Sequence, residues 1–267
     1  MADEGVSGED SGRRGVGALA VEPLLWVALY LLACSAVFIA FPAIDTAVAG
    51  WFHDASGFPA TKLASLMALR RLGDQLVILV LVVLAASLVG KLVWPARPMA
   101  IRPRSTLYLL ASLALGPGLV VNAIFKSWSG RPRPIQTDLF GGDWSFVPAW
   151  HFDGACISNC SFVSGEASTA IWLLAPVLLL PASLRLAVGI PVALVGLALS
   201  LNRLAFGGHY LSDVMLSWGM TAGVVLILYR VMVRGPLGDR LDAAVETGLG
   251  RAGLKLRRLL RGTLARL

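Results

Sequence analysis

The sequence predicts an all-α, polytopic membrane protein with six transmembrane helices. Hydrophobic residues make up 57% of the 267 residues and charged residues only 15%, whereas soluble domains are about half apolar and about a quarter charged. The apolar residues also lie in long blocks, each close to the ~20 residues that a helix needs to cross a bilayer. One membrane domain over residues 23–233 is therefore expected.

Six apolar blocks are the predicted spans, and each has to be helical because the lipid interior offers no partner for free backbone N–H groups. Only residues 181–185 separate the fourth block from the fifth, so these two are expected to form a tight antiparallel hairpin. The blocks run from Pro23 to Pro42, Gln75 to Trp94, Leu107 to Phe125, Ala167 to Leu184, Leu186 to Leu201 and Val214 to Tyr229.

The distribution of basic residues orients these spans. The second connection is cytoplasmic by the positive-inside rule, since it holds Lys91, Arg97, Arg102 and Arg104. Six alternating spans then put both termini in the cytoplasm, with a disordered leader at residues 1–22 and a basic tail at residues 234–267. The outward connections are residues 43–74, 126–166 and 202–213.

Two segments outside the spans have their own patterns. Residues 43–74 place apolar side chains among polar neighbours, which favours a helix lying in the membrane interface, either as an anchor or as a roof over a site. The basic tail carries most of the excess behind the net charge of +7. We expect the anionic membrane surface to hold it, and not nucleic acid, because no nucleic-acid module accompanies it.

Cys156 and Cys160 lie in the outward connection 126–166 and are candidates for a disulfide. An oxidising compartment would favour that bond, and two free thiols are the alternative. The chain has only 3 cysteines, too sparse a set for a zinc site, so neither a metal nor another cofactor is expected.

Four cations on the predicted outward side contradict the positive-inside rule and need a reason. Few acids accompany them, so they would form an anion site, and the forked guanidinium group matches phosphate in particular. These residues are Lys126, Arg131, Arg133 and Arg203.

Three short stretches at the outward ends of helices, residues 126–134, 161–166 and 203–213, carry the candidate chemistry. Their order and spacing resemble the motifs of the type 2 phosphatidic acid phosphatase (PAP2) family: K-x6-R-P, P-S-G-H and S-R-x5-H-x3-D. The resemblance spans about residues 70–230 and implies a six-helix membrane phosphatase. The matching residues are Lys126, Arg133 and Pro134 in the first motif, and Arg203, His209 and Asp213 in the third.

The residue types agree with that chemistry. Asp213 lies four residues after His209, so on one helix face its carboxylate can hold the imidazole N–H and leave the other nitrogen free as the nucleophile. A phosphohistidine would result, with Lys126, Arg133 and Arg203 neutralising the phosphate oxygens. Further phosphate donors are Ser164 and Gly165 at a helix start, and candidate headgroup contacts are Arg131 and His151.

The second motif departs from the family, because Val163 and Glu166 stand where the family has Pro and His. The third also has Asn202 where the family often has Ser. Three interpretations of Glu166 are open: a general acid that then serves as the base for water, a structural partner of an arginine, or the mark of a weakened enzyme.

The predicted function is metal-independent hydrolysis of a lipid phosphate monoester or diphosphate. The site would face the periplasm or exterior from a bacterial-type inner membrane, with the bilayer and its lipids as partners and the oligomeric state left open. Candidate substrates are lipid A phosphate, undecaprenyl diphosphate, phosphatidate and phosphatidylglycerophosphate; the stretch from Cys156 to Glu166 favours the lipid A phosphatase branch. Alternatives are a lipid-to-lipid phosphotransferase and a non-catalytic protein that binds or transports phospholipid.

Overall fold

The computed structural model describes the backbone of residues 8–264 and the side chains of residues 22–261. Within this part of the chain the fold is all-α, without strands, as predicted. The helices are α1 (Gly8–Ala40), α2 (Ala43–Gly50), α3 (Ala64–Val93), α4 (Pro103–Trp128), α5 (Gly165–Leu179), α6 (Ala182–Ala205), α7 (Leu211–Arg234) and α8 (Leu237–Leu264).

Five helices among the described residues are long and apolar enough to cross a membrane: α1 from Glu22 onward, α3, α4, α6 and α7. The predicted fourth span corresponds to α5, which is shorter and changes to a 3₁₀ turn at Pro176. Proline has no N–H to continue the helical ladder. A polytopic membrane protein is therefore confirmed, whereas the count of six spans stays a prediction. Residues 180–181 alone join α5 to α6, as the predicted hairpin requires.

Two segments predicted to lie outside the spans are largely helical. The first helix begins at Gly8 and continues through Pro23, so it includes residues 8–22 of the predicted leader. Proline is tolerated inside membrane helices where neighbouring groups satisfy the freed backbone carbonyl. Residues 1–7 of that leader lie outside the described residues. The third helix begins at Ala64, well before the predicted span at Gln75, which leaves α2 as the only α-helix between residues 43 and 63.

The last part of α4 is wound as a π-helix over Ala114–Phe125. Pro117 near its start cannot donate a backbone hydrogen bond. Within the same segment, Asn122 Nδ2 donates to the carbonyl of Pro117 at 2.7 Å. The wider turns end at Lys126, the first cation of the predicted site.

The centre of the bundle is α7, which packs against α1, α4 and α5. Lipid is as apolar as the helix surfaces, so polar contacts between helices help to hold such bundles together. Three buried or half-buried contacts do so here: Ser168 Oγ to Thr221 Oγ1 at 2.6 Å, Trp172 Nε1 to Ser112 Oγ at 2.9 Å, and Trp218 Nε1 to Ser200 Oγ at 3.1 Å.

The basic tail forms α8, which docks on the ends of α3 and α4. Lys91 pairs with Glu246, and Arg104 Nε donates to Asp242 at 2.6 Å. The candidate site lies at the opposite end of α3, where Arg70 is found. A helical rise of 1.5 Å per residue separates Arg70 from Lys91 by roughly 32 Å, close to the thickness of a bilayer's hydrocarbon core.

Candidate active site

The three predicted stretches meet at the end of the bundle that lies away from α8. Ser161 Oγ donates to Asp213 Oδ2 at 2.5 Å, and the Ser164 N–H donates to the Asp213 carbonyl at 3.1 Å. The Ile135 N–H donates to the Gly207 carbonyl at 3.1 Å, which joins the first stretch to the third. One site therefore brings together residues from the end of α4, the start of α5 and the turn between α6 and α7.

His209 is buried, and its ring orientation is fixed by the backbone. Its Nδ1 lies 2.8 Å from the Ser161 carbonyl oxygen. A carbonyl can only accept a hydrogen bond, so Nδ1 carries the proton and Nε2 keeps its lone pair. The Asp213 carboxylate is 3.7 Å from Nδ1, too far for a hydrogen bond. The predicted direct hydrogen bond to Asp213 is therefore not made, although the carboxylate lies against the ring. The near oxygen, Asp213 Oδ2, accepts instead from Ser161 Oγ and from the Tyr210 N–H.

The surroundings of His209 favour its neutral form. Burial lowers the pKa of His209 to about 4, the Asp213 carboxylate acts in the opposite direction, and Arg203 and Lys126 lower it further. The imidazole is therefore uncharged near neutral pH. A neutral ring with a free nitrogen lone pair is the form that a nucleophile requires.

Lys126 and Arg133 are held side by side by Asn159. The Lys126 Nζ lies 3.2 Å from Asn159 Oδ1, and Arg133 Nη2 donates to the Asn159 carbonyl at 2.9 Å. Burial lowers the pKa of Arg133, an effect that Glu166 partly offsets. The sulfur atoms of Cys156 and Cys160 are bonded in the structure, so Asn159 sits inside a short covalent ring.

Arg203 on α6 presents unused donors. The side chain is 4% exposed, yet Nε and Nη1 have no hydrogen-bond partner among the described residues. Glu166 Oε2 lies 3.2 Å from Nε, in an ion pair without hydrogen-bond alignment. Gly208 permits this packing, because a Cβ there would lie 2.5 Å from Arg203 Nη2. A buried guanidinium with free N–H groups is suited to an anion with several oxygens.

Glu166 lies in the first turn of α5 and pairs with two arginines. Arg70 of α3 holds it with two hydrogen bonds, Nη2 to Oε1 at 2.9 Å and Nε to Oε2 at 3.2 Å. Arg203 is its second partner. The side chain of Glu166 is 31% exposed, unlike the fully buried Asp213. The arginine-partner interpretation describes this geometry, and the general-acid interpretation stays a prediction.

Ser164 and Gly165 shape the start of α5. Ser164 is its N-cap, and Ser164 Oγ accepts from the Ala167 N–H at 3.3 Å. A Cβ on Gly165 would lie 2.7 Å from Asn122 Oδ1. Glycine thus leaves room for the Asn122 side chain where α5 meets α4, and the helix start lies beside the cations with its N–H groups and positive dipole end.

The two predicted headgroup contacts have different outcomes. Arg131 is 0% exposed and lies between Asp45 and Asp213, so its assignment as a headgroup contact is wrong. Two buried carboxylates compensate its charge, and burial is possible for that reason. His151 is exposed on the long connection, and no hydrogen bond joins its side chain to the site within the described residues. Its assignment stays a prediction.

Sequence reasoning missed three residues of the site: Asp45, Arg70 and Asn159. Asp45 could have been identified from the sequence, since an isolated acid beside apolar segments usually has a specific partner. Arg70 had a weaker signal, as a further cation on the predicted outward side. For Asn159 the sequence offered only its place between Cys156 and Cys160, because its contacts depend on how the connection 126–166 folds.

A neutral histidine among three cations fits a phosphate group. Lys126, Arg133 and Arg203 can neutralise the oxygens while the lone pair of His209 approaches phosphorus. In the part of the chain that the structure describes, no group of three or more His, Cys, Asp or Glu side chains could hold a metal ion. The geometry thus supports phosphoryl transfer to an imidazole.

Comparison with known proteins points in the same direction. The family model described as "PAP2 superfamily" matches residues 105–235. No solved structure matches the chain significantly.

Three curated relatives are similar over most of their length. One from Rhizobium leguminosarum is 41% identical over 211 residues, which cover 73% of this chain and 88% of the relative. One from Rhizobium etli is 42% identical over 211 residues, 73% of this chain and 80% of the relative. One from Francisella tularensis subsp. novicida is 34% identical over 201 residues, 74% of this chain and 90% of the relative. Each of these relatives is a lipid A 4'-phosphatase.

Proposed function

The chain belongs to the PAP2 superfamily and is a phosphatase that hydrolyses lipid phosphate, and we propose that its substrate is lipid A and its product the 4'-dephosphorylated lipid. Three lipid A 4'-phosphatases that share most of their length with this chain support this choice of substrate. The observation that carries the proposed chemistry is the pair formed by Arg203 and His209, a buried cation with unused N–H groups beside a neutral imidazole.

In the first step the lone pair of His209 Nε2 attacks phosphorus. The N–P bond forms while the P–O bond to the sugar breaks, and the electron pair leaves with the sugar oxygen. Lys126, Arg133 and Arg203 neutralise the phosphate oxygens throughout, which is where catalysis of phosphoryl transfer mainly acts. The Ser161 carbonyl keeps the Nδ1 proton in place.

Glu166 supplies the proton that the leaving sugar oxygen needs. Substrate phosphate competes with the Glu166 carboxylate for Arg203, and the displaced side chain, already partly exposed, takes the remaining proton of the phosphate monoester monoanion and turns with it toward the ester oxygen. In the second step the same carboxylate takes a proton from water, the water oxygen bonds to phosphorus, and the N–P bond breaks. Free phosphate leaves and His209 returns to its neutral form.

The site faces the periplasm from the inner membrane in this proposal. At the other end of α3 and α4 lie Lys91 and Arg104, with the basic α8 docked on them. Such a concentration of basic residues marks the cytoplasmic side. Lipids of the outer leaflet would then reach the site without crossing the membrane.

Phosphate release by purified protein in detergent tests the proposed substrate. The panel is lipid A, phosphatidate, phosphatidylglycerophosphate and undecaprenyl diphosphate, and mass spectrometry identifies the sugar position that loses phosphate. We expect fastest release from lipid A, at the 4' position. Faster release from another lipid would overturn the substrate, and transfer of phosphate to a second lipid in place of water would overturn hydrolysis.

The activity should persist to unusually low pH. An ordinary histidine, with a pKa near 6.5, would be protonated at pH 5. The kcat/KM of an enzyme that needs its neutral form would then fall about 30-fold from the value at pH 7. Asp213, Arg203 and Lys126 face His209, and its pKa is lowered to about 4, so protonation becomes limiting only below about pH 5. We expect less than about threefold loss between pH 7 and pH 5, after correction for ionisation of the substrate. A 30-fold loss would show that the imidazole titrates normally.

Glu166→Gln should discriminate between leaving groups. The amide cannot give a proton, so hydrolysis of a lipid monoester should fall about 10²- to 10³-fold. A diphosphate has a better leaving group and should lose far less. Asp74→Asn is the matched control, because Asp74 lies near Glu166 in the same crevice. Equal losses for monoester and diphosphate would contradict the general-acid role.

Reduction of the Cys156–Cys160 bond should weaken catalysis, because it releases the ring that carries Asn159. Loss of one ordered contact to the two cations corresponds to roughly a tenfold decrease in kcat/KM. The measurement is phosphate release with and without a phosphine reductant. A Cys34→Ser variant, which lacks the only other cysteine, should respond in the same way. If the thiols of Cys156 and Cys160 are shown to be free and the wild-type protein still releases phosphate at an unchanged rate, this role of Asn159 is contradicted.

A further inference from the structure

The Arg131 side chain is enclosed between two carboxylates, behind the site. Its Nη2 donates to Asp45 Oδ2 at 2.8 Å and its Nη1 donates to Asp213 Oδ1 at 2.6 Å, and all three side chains are 0% exposed. Nε donates to the Val147 carbonyl at 2.7 Å, and the guanidinium carbon lies 4.4 Å from the centre of the Tyr210 ring. Arg131 is therefore held from several directions by one buried network.

The contacts of Asp45 are those of an ionised carboxylate. Oδ1 accepts the Ser212 N–H at 2.8 Å, and Oδ2 accepts both Arg131 and the Ser212 hydroxyl, the latter at 2.6 Å. The Ser212 oxygen itself accepts from Arg131 Nη1 at 2.8 Å, which directs the hydroxyl hydrogen to Asp45. Burial raises the pKa of Asp45, Arg131 opposes that shift, the Asp213 carboxylate adds to it, and the hydrogen bonds from Ser212 oppose it. All neighbours are donors, so the ionised form satisfies them.

The charges of this network leave one negative charge beside the histidine. Arg131 alone would neutralise Asp213, the carboxylate that lies 3.7 Å from His209 Nδ1. Asp45 adds the second carboxylate, so one cation is shared between two anions. Asp45 lies on α2, outside the residues 105–235 that the family model matches. The additional charge thus comes from a part of the chain beyond the matched domain.

We propose that Asp45, acting through Arg131, is a positioning residue. It gives the group formed by Asp45, Arg131 and Asp213 a net negative charge while His209 is phosphorylated. The inference rests on the proposed function. When Nε2 forms its bond to phosphorus and the ester electron pair leaves with the sugar oxygen, the ring keeps its Nδ1 proton and becomes positively charged. A group with a net negative charge stabilises that cation, whereas a neutral group does not.

Asp45→Asn is the direct test, because it removes the charge and almost preserves the shape. The expected result is a decrease in kcat of about 10- to 100-fold with KM changed less than about threefold, since the charge develops only in the transition state. The acid limb of the pH profile should also move to lower pH, because Asp213, then fully neutralised by Arg131, supports the imidazolium less. Arg203 and Lys126 face His209 unchanged in this variant.

Two further variants separate charge from structure. Ser212→Ala removes hydrogen bonds to both Asp45 and Arg131 without altering any charge, and its loss of kcat should be clearly smaller than that of Asp45→Asn. Asp45→Asn combined with Arg131→Gln leaves Asp213 as the single charge and should recover kcat to within about tenfold of wild type. The double variant also keeps the test available if the single variant does not fold.

The proposal is overturned if Asp45→Asn and Ser212→Ala lose kcat equally, or if the folded double variant is slower than Asp45→Asn. Labelling of His209 by substrate phosphate in the wild-type protein is measured beside these variants. Its absence would overturn the proposed function, whereas normal labelling with unchanged kcat in Asp45→Asn would overturn only the role of Asp45.

Discussion

Replacing His209 with alanine is expected to lower phosphate release from lipid A by at least about 10⁴-fold, the scale on which removal of a nucleophile acts. The reason is the geometry of the ring, whose Nδ1 is committed to the Ser161 carbonyl while Nε2 keeps the lone pair. Arg203, Lys126 and Arg133 remain in the variant, so it should still bind phosphate. The measurement is single-turnover release together with binding of vanadate.

His53→Ala is the control for that variant, since His53 lies between the rings of Phe58 and Phe140 and not in the site. It should release phosphate at a rate close to that of wild type. Turnover by His209→Ala within about tenfold of wild type would mean that another group, or water, attacks phosphorus directly.

Arg203→Gln is expected to lower kcat/KM about 10²- to 10³-fold, the usual effect of removing a donor that stabilises transition-state charge. Arg203 is buried and its Nε and Nη1 have no hydrogen-bond partner among the described residues. A phosphate oxygen that accepts these N–H groups gains two charge-assisted hydrogen bonds. The amide of glutamine keeps part of the volume but carries no charge.

Arg185→Gln is the matched control, because Arg185 lies on the same helix near its other end and donates to the Leu180 carbonyl at 2.9 Å. Its activity should stay near that of wild type. Steady-state kinetics of both variants, with circular dichroism to check folding, decide the outcome. If Arg203→Gln keeps its kcat/KM, Arg203 does not contact the phosphate, and Lys126 and Arg133 are the cations that bind it.

The membrane fold could be predicted from the sequence because lipid imposes one simple rule on it. Long apolar blocks must be helical, and five of the predicted spans correspond to the long apolar helices. The boundaries were harder, since α3 begins at Ala64 and not at Gln75. Nothing in a hydropathy pattern tells the membrane-buried part of a helix from its extension into the interface.

The cations and the histidine of the site could also be located in advance, because their spacing in short stretches is a local property. The residues that orient these side chains and fix their protonation could not be predicted. The carbonyl that orients His209 belongs to a residue 48 positions earlier, and the arginine that holds Glu166 lies 96 positions away. The first of these pairs depends on the path of the long connection between α4 and α5, and the second depends on how α3 packs against α5.

Arg131 shows the same limit most clearly. From its place beside Arg133 it was predicted to contact the substrate headgroup, and only tertiary structure assigns it to Asp45 and Asp213. A buried arginine needs compensating charges, and the sequence does not show which acids will provide them. Arg131 therefore supports the Asp213 carboxylate and does not contact the substrate.

The most direct test of this account is to trap the phosphoenzyme. Lipid A labelled with radioactive phosphate is mixed with the protein, the reaction is stopped with alkali within milliseconds, and the labelled peptide is sequenced by mass spectrometry. We expect an acid-labile, alkali-stable phosphate on His209, absent from His209→Ala. Turnover without any labelled protein, or a label on a serine such as Ser164, would contradict the histidine nucleophile.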